Sequence, residues 1–503
     1  MAGMFFGCNS LENLDVSHFD TSHVTHMEYM FNDCKSLVSL DVSHFDTSQV
    51  TDMRNMFKEC NSLKILDVSN FDTSNVENLA EPLQKYLAVP QGVRLKIKEP
   101  EHPGDNVLMA SSDEDYVFGR KMDRSKIGTV HFLNSKGKGG EDAWDVSEKQ
   151  NGSIMAWTEE RKNGLLDLYI AANGNITANR ECKKLFWSYK NLENIFGLEI
   201  FQTDQTEDMS HMFDDCKSLE SLDLSHFDTN QVTDMSLMFE GCNSLKSLDL
   251  SHFDTSHVVN MDSMFCDCES LESLDLGHFI TSHVVSMNSM IRSCRSLKNL
   301  DVSCFDTSQV TSMSGMFFDC KSLVSLDVSH FDTSQVTNMS EMFYYCRSLT
   351  SLDVSHFDTS QVVDMNSMFW NCESLESLDV SHFDTSQVTD MGSMFCFCKS
   401  LKSLNLSRFD TSQVTTMEGM FWVCANLESL DVSRFNTNQV SSMLNMFRGC
   451  NSLKILDISN FDTSNVKNMS EPLPEYLAVP QGVSLKTRKA NSFFRKLWEK
   501  LSN

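Results

Sequence analysis

A cysteine that returns every 26 residues constrains this chain more than any other feature. It stands at Cys8, Cys34 and Cys60, then at Cys216, Cys242, Cys268, Cys294, Cys320, Cys346, Cys372, Cys398, Cys424 and Cys450. The unit around it reads C-x-S-L-x-S-L-D-V-S-H-F-D-T-S-x-V-T-x-M-x-x-M-F-x-x, in thirteen copies. A unit this short cannot bury its apolar residues alone. Stacking on neighbours completes the core, so the period predicts a solenoid.

Inside one unit the apolar spacing changes once. Leu37, Leu40, Val42 and Phe45 follow L-x-x-L-x-V-x-x-F, the short strand of a leucine-rich repeat, with Leu40 and Val42 inward on a period of two. Val50, Met53, Met56, Phe57 and Cys60 follow at spacings of three, three, one and three, which reads as one face of a short helix. Asp46-Thr47-Ser48 carries turn chemistry, and Thr51 is a candidate N-cap. The expected fold class is an α/β solenoid: leucine-rich-repeat arrays of short parallel strands and short helices, in two arrays separated by a mainly β cap segment.

The arrays divide the chain. Residues 1–80 hold three units and begin in mid-unit, since Met4, Phe5 and Cys8 match Met30, Phe31 and Cys34. An array that starts upstream of Met1, or an internal start, is the expectation. NLAEPLQKYLAVPQGVRLK at 78–96 returns as NMSEPLPEYLAVPQGVSLK at 468–486. Each copy follows the last unit of an array, so 81–96 and 471–487 read as C-terminal caps. EPEHPGD at 99–105 marks a linker over 97–105. Residues 106–206 read as an N-terminal cap, with strand-like alternation over Val146–Ile154 and Leu166–Ile176 and a degenerate first unit around Leu185, Phe186, Leu192 and Ile195. Ten units then fill 207–470, and 488–503 forms a basic tail.

Lys and Arg number 41 against 70 Asp and Glu, a formal charge of -29. Nucleic acid, which is normally met by a basic patch, is thereby an unsuitable partner. A cationic partner suits the balance better. The start of the chain has no signal-like apolar run, and no stretch approaches a membrane span. Arg488, Lys489, Arg495, Lys496 and Lys500 around Phe494, Leu497, Trp498 and Leu501 form a basic amphipathic tail suited to weak contact with an anionic surface, or to solvent.

Stacking turns each unit position into a column. Ser39, Asp41 and Ser43 point outward from the strand. The aspartate column in the second array, Asp223, Asp249, Asp275, Asp301, Asp327, Asp353, Asp379, Asp431 and Asp457, broken by Asn405, is the candidate ligand-binding site. Like charges one strand apart repel. Either basic groups of a ligand or a cation lie along them, or flanking serines satisfy the carboxylates, which splay into solvent. A histidine column (His226, His252, His278, His330, His356, His382) offers partial compensation. It repeats too uniformly to close a ligand set, and no zinc spacing occurs, so neither a metal nor a cofactor is implied. The second aspartate column, Asp20 to Asp462, reads as an Asx turn that Ile280 and Asn436 show to be independent of charge. Beside the strand runs a mixed-sign column, Glu220, Lys246, Glu272, Lys298, Val324, Thr350, Glu376, Lys402, Glu428 and Lys454, whose alternation gives attractive neighbours.

Seventeen cysteines include thirteen in the ladder. Identical orientation in each rung opposes disulfide geometry, and burial as small apolar residues fits better. Cys182, Cys266, Cys304 and Cys396 lie outside the ladder. The Met-Phe pairs read as core. No nucleophile elbow, phosphate loop or zinc-protease motif occurs, so a non-enzyme is expected; an activity housed in 97–206 is the weaker alternative.

M-x-x-M-F-x-x-C-x-S-L-x-S-L-D-V-S-x-F-D-T-S-x-V-T resembles the repeat of BspA-like leucine-rich-repeat surface proteins, over nearly the whole chain. AWDVSEKQNGSIMAW at 143–157 is similar to the lead-in that precedes such arrays. The resemblance implies an extracellular or cell-surface scaffold for adhesion, engaging a host, matrix or neighbouring-cell protein or a glycan along the concave strand face. It departs from the pattern in lacking a signal sequence and a sorting signal. An inert spacer is the competing reading.

Overall fold

The computed structural model describes residues 1–487 apart from 69, 74, 77–82, 91–92, 97–105, 112–115, 137–141 and 468. The expected linker at 97–105 and the basic tail at 488–503 therefore lie outside the described residues. The chain forms two compact units. One comprises Met1–Asp208 with Cys216–Gln231, the other Met209–Asp215 with Val232–Asn503.

In the second unit the 26-residue period becomes a parallel register. Ser247 pairs with Ser273, Leu274 with Leu300 and Asp275 with Asp301. Leu248, Leu274, Leu250 and Leu276 are buried, as the period-two reading requires. Farther round each unit a second parallel ladder runs Asp234, Asn260, Ser286, Ser312, Asn338, Asp364, Asp390, Thr416, Ser442. Each unit is thus tied to the next along two lines, and the core of Leu, Val, Met, Phe and Cys lies between them. The Phe column stacks through this core: Phe343 meets Phe369 at 5.7 Å between ring centroids, and Phe369 meets Phe395 at 5.8 Å.

Among the described residues the repeat forms none of the expected short helices. Met339, Met342, Phe343 and Cys346 all point inward as the spacing requires, but the backbone is a chain of tight turns. Alternate amides leave the unit: Met339 N–H bonds Asp364 O at 3.0 Å, Glu341 N–H bonds Asn366 O at 2.9 Å, and Phe343 N–H bonds Met368 O at 2.9 Å. The amides between them close turns within the unit, as Met342 N–H does on Met339 O. A helix needs every amide for its own i−4 carbonyl, so the two patterns exclude each other. Alternation requires left-handed residues twice per unit, here Glu341 at φ 58° and Tyr345 at φ 63°. Thr51 is no N-cap either: its hydroxyl donates back to Thr25 O at 3.1 Å. Among the described residues the α-helices are the four-residue turns Leu83–Tyr86 and Leu473–Tyr476. None is long and apolar enough to cross a membrane.

These two helices follow the last units in the same way. Asn445 and Phe447 donate to the carbonyls of Tyr476 and Leu477, and Asn55 and Phe57 to those of Tyr86 and Leu87. Ser484–Lys486 then pairs with Ile455–Asp457, and Arg94–Lys96 with Ile65–Asp67.

In the first unit, Asn13–Leu14 pairs with Ser39–Leu40 in the 26-residue register. A five-stranded sheet follows from β1 (Ile127–Leu133), β2 (Trp144–Asp145), β3 (Ile154–Glu160), β4 (Leu166–Ala172) and β5 (Asn194–Phe196), in the order β5-β1-β4-β3-β2. β3 and β4 are antiparallel across a tight turn at Gly164, while β1 is parallel to β4 and β5. The strand-like alternation of 146–154 resolves differently. Asp145 accepts from the amides of Ser147 and Gly152 at 2.9 and 2.7 Å, which folds 147–153 into turns and delays the strand to Ile154. Phe186 lies where a unit's Phe would, 30 residues before Cys216, whose thiol donates to its carbonyl at 3.2 Å. Tyr189 is fully buried nearby.

Candidate functional site

Each outward aspartate of the strand column in the second array makes the same local bond. Oδ1 accepts from the amide two residues on, for example Asp249 from Ser251 at 3.0 Å, Asp301 from Ser303 at 2.9 Å, Asp327 from Ser329 at 3.0 Å and Asp379 from Ser381 at 2.9 Å. The Ser hydroxyl adds a second bond at 2.7 Å in Asp327 and 2.6 Å in Asp353. Asp223, Asp431 and Asp457 repeat the geometry, and Asp275 accepts from Gly277 at 2.9 Å, where no hydroxyl is available. Both bonds favour the charged form. The serine hydroxyl and amide hold Asp327, Asp353, Asp379, Asp431 and Asp457 below the ordinary carboxylate range, and the amide followed by the hydroxyl does so for Asp249 and Asp301.

The second unit brings six of the predicted residues together. Asp249, Asp275, Asp301, Asp327, Asp353 and Asp379 line one open groove of about 1060 Å³, with Ser273, Ser325, Ser351 and Ser377 between them. Asp431 and Asp457 line a separate hollow of about 570 Å³ with Glu428, Lys454 and Lys486, beyond the break at Asn405. There Lys486 Nζ stands 3.5 Å from Asp457. Asp223 belongs to the other compact unit. Among the described residues no lysine or arginine pairs with the six carboxylates of the larger groove.

Two of the histidines are also tied to the main chain of the stack. His278 Nε2 faces Leu250 O at 2.7 Å and His330 Nε2 faces Val302 O at 3.0 Å, in each case the main chain of the preceding unit. An Nε2–H donated to that carbonyl ties these two histidines to the stack. The mixed-sign column does pair in the last units, Lys402 with Glu376 at 3.4 Å and Lys454 with Glu428 at 2.8 Å. The second aspartate column forms the expected Asx turns, Asp384 accepting from Ser386 N–H at 2.9 Å.

All seventeen cysteines are free thiols. Each buried ladder thiol donates to the Phe-column carbonyl of the preceding unit, as Cys372 does to Phe343 O at 3.2 Å and Cys424 to Phe395 O at 3.0 Å. Burial pushes the Cys372 thiol up to about 12. Cys266 and Cys396 are buried beside the ladder rather than in it, and Cys304 is exposed in the histidine column.

The unit formula writes the two positions before each cysteine as unspecified, and most of the missed chemistry sits there. Phe318, Tyr344 and Trp370 stack at 4.3 and 4.2 Å between centroids, and Arg292 covers the outer face of Phe318 at 3.7 Å. Reading the column down the array, instead of averaging it, would have found this aromatic run. In residues 106–206, Arg161, Asp167, Thr129 and His131 form a hydrogen-bonded chain. The His131 ring lies between Tyr169 and Phe196 at 4.7 and 4.9 Å, and burial holds its pKa down to about 4. That is the environment of a packed side chain.

A family model described as "Mycoplasma protein of unknown function, DUF285" matches residues 1–93, 180–300, 285–405 and 396–477, more than three quarters of the chain. No curated protein matches. Among solved structures, a leucine rich cell surface protein from Faecalibacterium prausnitzii A2-165 is 17% identical at a TM-score of 0.31, covering 71% of this chain and 97% of its own. A TLR13–ssRNA13 complex is 16% identical at a TM-score of 0.22, covering 97% of this chain and 76% of its own. Both superpositions are too weak to bear on function.

Proposed function

This chain belongs to the family described as "Mycoplasma protein of unknown function, DUF285", and from that premise we propose that it is a surface-displayed binding scaffold whose aspartate groove holds a protein ligand rich in lysine or arginine. One observation carries the reading: six carboxylates in register line a groove of about 1060 Å³, each accepting from an amide of its own turn. Burying a complementary row of cations against them relieves repulsion that the fold leaves in place. Surface display and adhesion follow the resemblance of the repeat to BspA-like proteins. The role is recognition rather than catalysis, since the groove repeats one chemistry down its length and offers no distinct nucleophile or base.

A second reading, an inert spacer, is favoured by the Asx bonds themselves, because each aspartate already has a structural use. Asparagine separates the two. Asn405 occupies the column and still accepts from Ser407 N–H at 3.2 Å, so Asp301→Asn, Asp327→Asn, Asp353→Asn and Asp379→Asn together keep the turns and remove the charge. Beads coated with the chain are counted on host-cell monolayers at low and high salt. The scaffold reading expects salt-sensitive retention that the fourfold variant loses. Equal retention of a folded variant favours the spacer and sinks the scaffold.

A further inference from the structure

The repeat supplies the same donors in every unit, so a discrete site has to be built where units differ. The residue two places before the ladder cysteine is such a position. In the middle of the second unit it is aromatic, as at Phe318, Tyr344 and Trp370. At the start of that unit it is Asp214, Glu240 and Cys266. Main-chain bonds hold these in register: Asp215 N–H reaches Glu240 O at 2.7 Å, and Gly241 N–H reaches Cys266 O at 2.8 Å. His211 joins them from the left-handed position of the same turn, at φ 56°, its Nδ1 2.7 Å from Asp214 Oδ2.

The geometry points to a site for one divalent transition-metal ion of the zinc class, bound by His211, Asp214 and Glu240. One donor atom from each of the three lies within 4.8 Å of the others. A tetrahedral ion with bonds of about 2.0–2.1 Å sets its donors roughly 3.3 Å apart, a distance that small side-chain rotations reach. Glu240 forms a second such group with Cys266 and Asp267, so donors continue into the next unit. The surroundings favour a cation. Asp214 is buried to 7% exposure, and Asp214 and Asp267 both add negative charge beside Glu240. Arg292, one repeat on from Cys266, lies over the Phe318 ring and reaches toward Glu341. An imidazole with two carboxylates is a borderline donor set, which suits zinc, cobalt or nickel; calcium and magnesium take oxygen ligands. Binding displaces the proton shared by His211 and Asp214, and that proton goes to solvent. Such an ion pins the first units of the stack together.

Zinc is added to the full-length reduced chain carrying Cys304→Ser, which removes the exposed thiol, and bound metal is counted by equilibrium dialysis. One equivalent is expected. His211→Ala and Glu240→Gln each weaken it by about a hundredfold or more, since even outer-shell partners of a metal are worth 10–100-fold. His278→Ala, on the strand face, leaves it unchanged. A second readout needs no substitution at the site: zinc protects His211 from diethylpyrocarbonate, scored on its own peptide by mass spectrometry. Binding that survives both substitutions, no bound equivalent, or labelling of His211 indifferent to zinc overturns the site.

Discussion

The hydroxyl of Thr255 bridges to Ile280 in the next unit: Oγ1 donates to the Ile280 carbonyl at 2.9 Å and accepts from the Ile280 amide at 2.8 Å. One side chain thereby completes both main-chain groups of a residue 25 positions on. Thr411 does the same for Asn436 at 2.9 and 2.7 Å, and Thr437 for Asp462. These threonines are buried at 1% exposure, so water cannot substitute. The bridge uses only the partner's backbone, which is why Ile280 and Asn436 are tolerated in an aspartate column.

Thr411→Val keeps the shape and removes the hydroxyl. Leaving a buried donor and acceptor unmade costs about 1–3 kcal/mol. The expected outcome is faster hydrogen exchange at the Asn436 amide and a lower unfolding midpoint, while Thr411→Ser retains most of both. Unchanged exchange in the valine variant would refute the bridge.

How much of this was legible depended on what one unit shows by itself. The period, the strand, and the inward Leu40, Val42, Met53, Met56, Phe57 and Cys60 were readable because burial repeats with the sequence. The helix was misread because a spacing of three, three, one and three is shared by a helix face and by a run of tight turns. What separates them is the destination of alternate amides, which lies in the following unit. The Asx use of the second aspartate column was readable from Asp-Thr-Ser, while for the strand column the serine-satisfied arrangement was one of two readings left open. The Thr255 bridge, the Cys372 thiol bond and the His211–Asp214–Glu240 group were not. The first two join residues 25 and 29 positions apart through backbone atoms, and the third sits in columns that a unit formula averages away.

The thiols differ sharply in reach. Cys346, Cys398 and Cys424 are buried and hydrogen-bonded, and burial raises each thiol well above its ordinary value. Cys304 is exposed. Reactivity follows thiolate character and access. N-ethylmaleimide applied to the native chain should label Cys304 within the time that leaves the twelve buried ladder thiols untouched, with those reacting on addition of denaturant. Mass mapping of the labelled peptides checks this, and ladder labelling at the rate of Cys304 would count against the packing.

Acid should weaken the strand face in a defined direction. Serine hydroxyls and amides lower the folded pKa of Asp327, Asp353 and Asp379. A carboxylate whose folded pKa is lowered adds stability above its unfolded pKa, about 3.9, and loses it as pH falls through the folded value. The fourfold asparagine variant has no such titration. Its thermal midpoint, subtracted from the parent's, should therefore give a difference that is constant from pH 5 to 7 and moves against the parent below about pH 4. A difference that stays flat into acid removes the Asx contribution.

The last consequence concerns backbone strain. Each unit needs a left-handed residue immediately before the ladder cysteine, and different units meet the need unequally. Asn371 holds φ 62° and Gly449 φ 77°, residue types that enter this region readily, but Val423 is held there at φ 60°. A β-branched side chain crowds its own carbonyl in that conformation, at a cost of roughly 1–2 kcal/mol. Glycine relieves the crowding but loses more backbone freedom on folding, which returns about 0.5–1 kcal/mol. Asparagine keeps a side chain, is at home in the left-handed region, and already fills this column at Asn371. Val423→Asn is therefore expected to raise stability by about 1 kcal/mol, with Val423→Gly close to neutral. Val423 is half-buried against Gly449, whose added Cβ would come within 3.2 Å of Val423 Cγ2, so asparagine, close to valine in size, keeps a contact that glycine gives up. Urea unfolding of the three chains ranks them, and a valine chain as stable as the asparagine chain would show that the turn carries no strain.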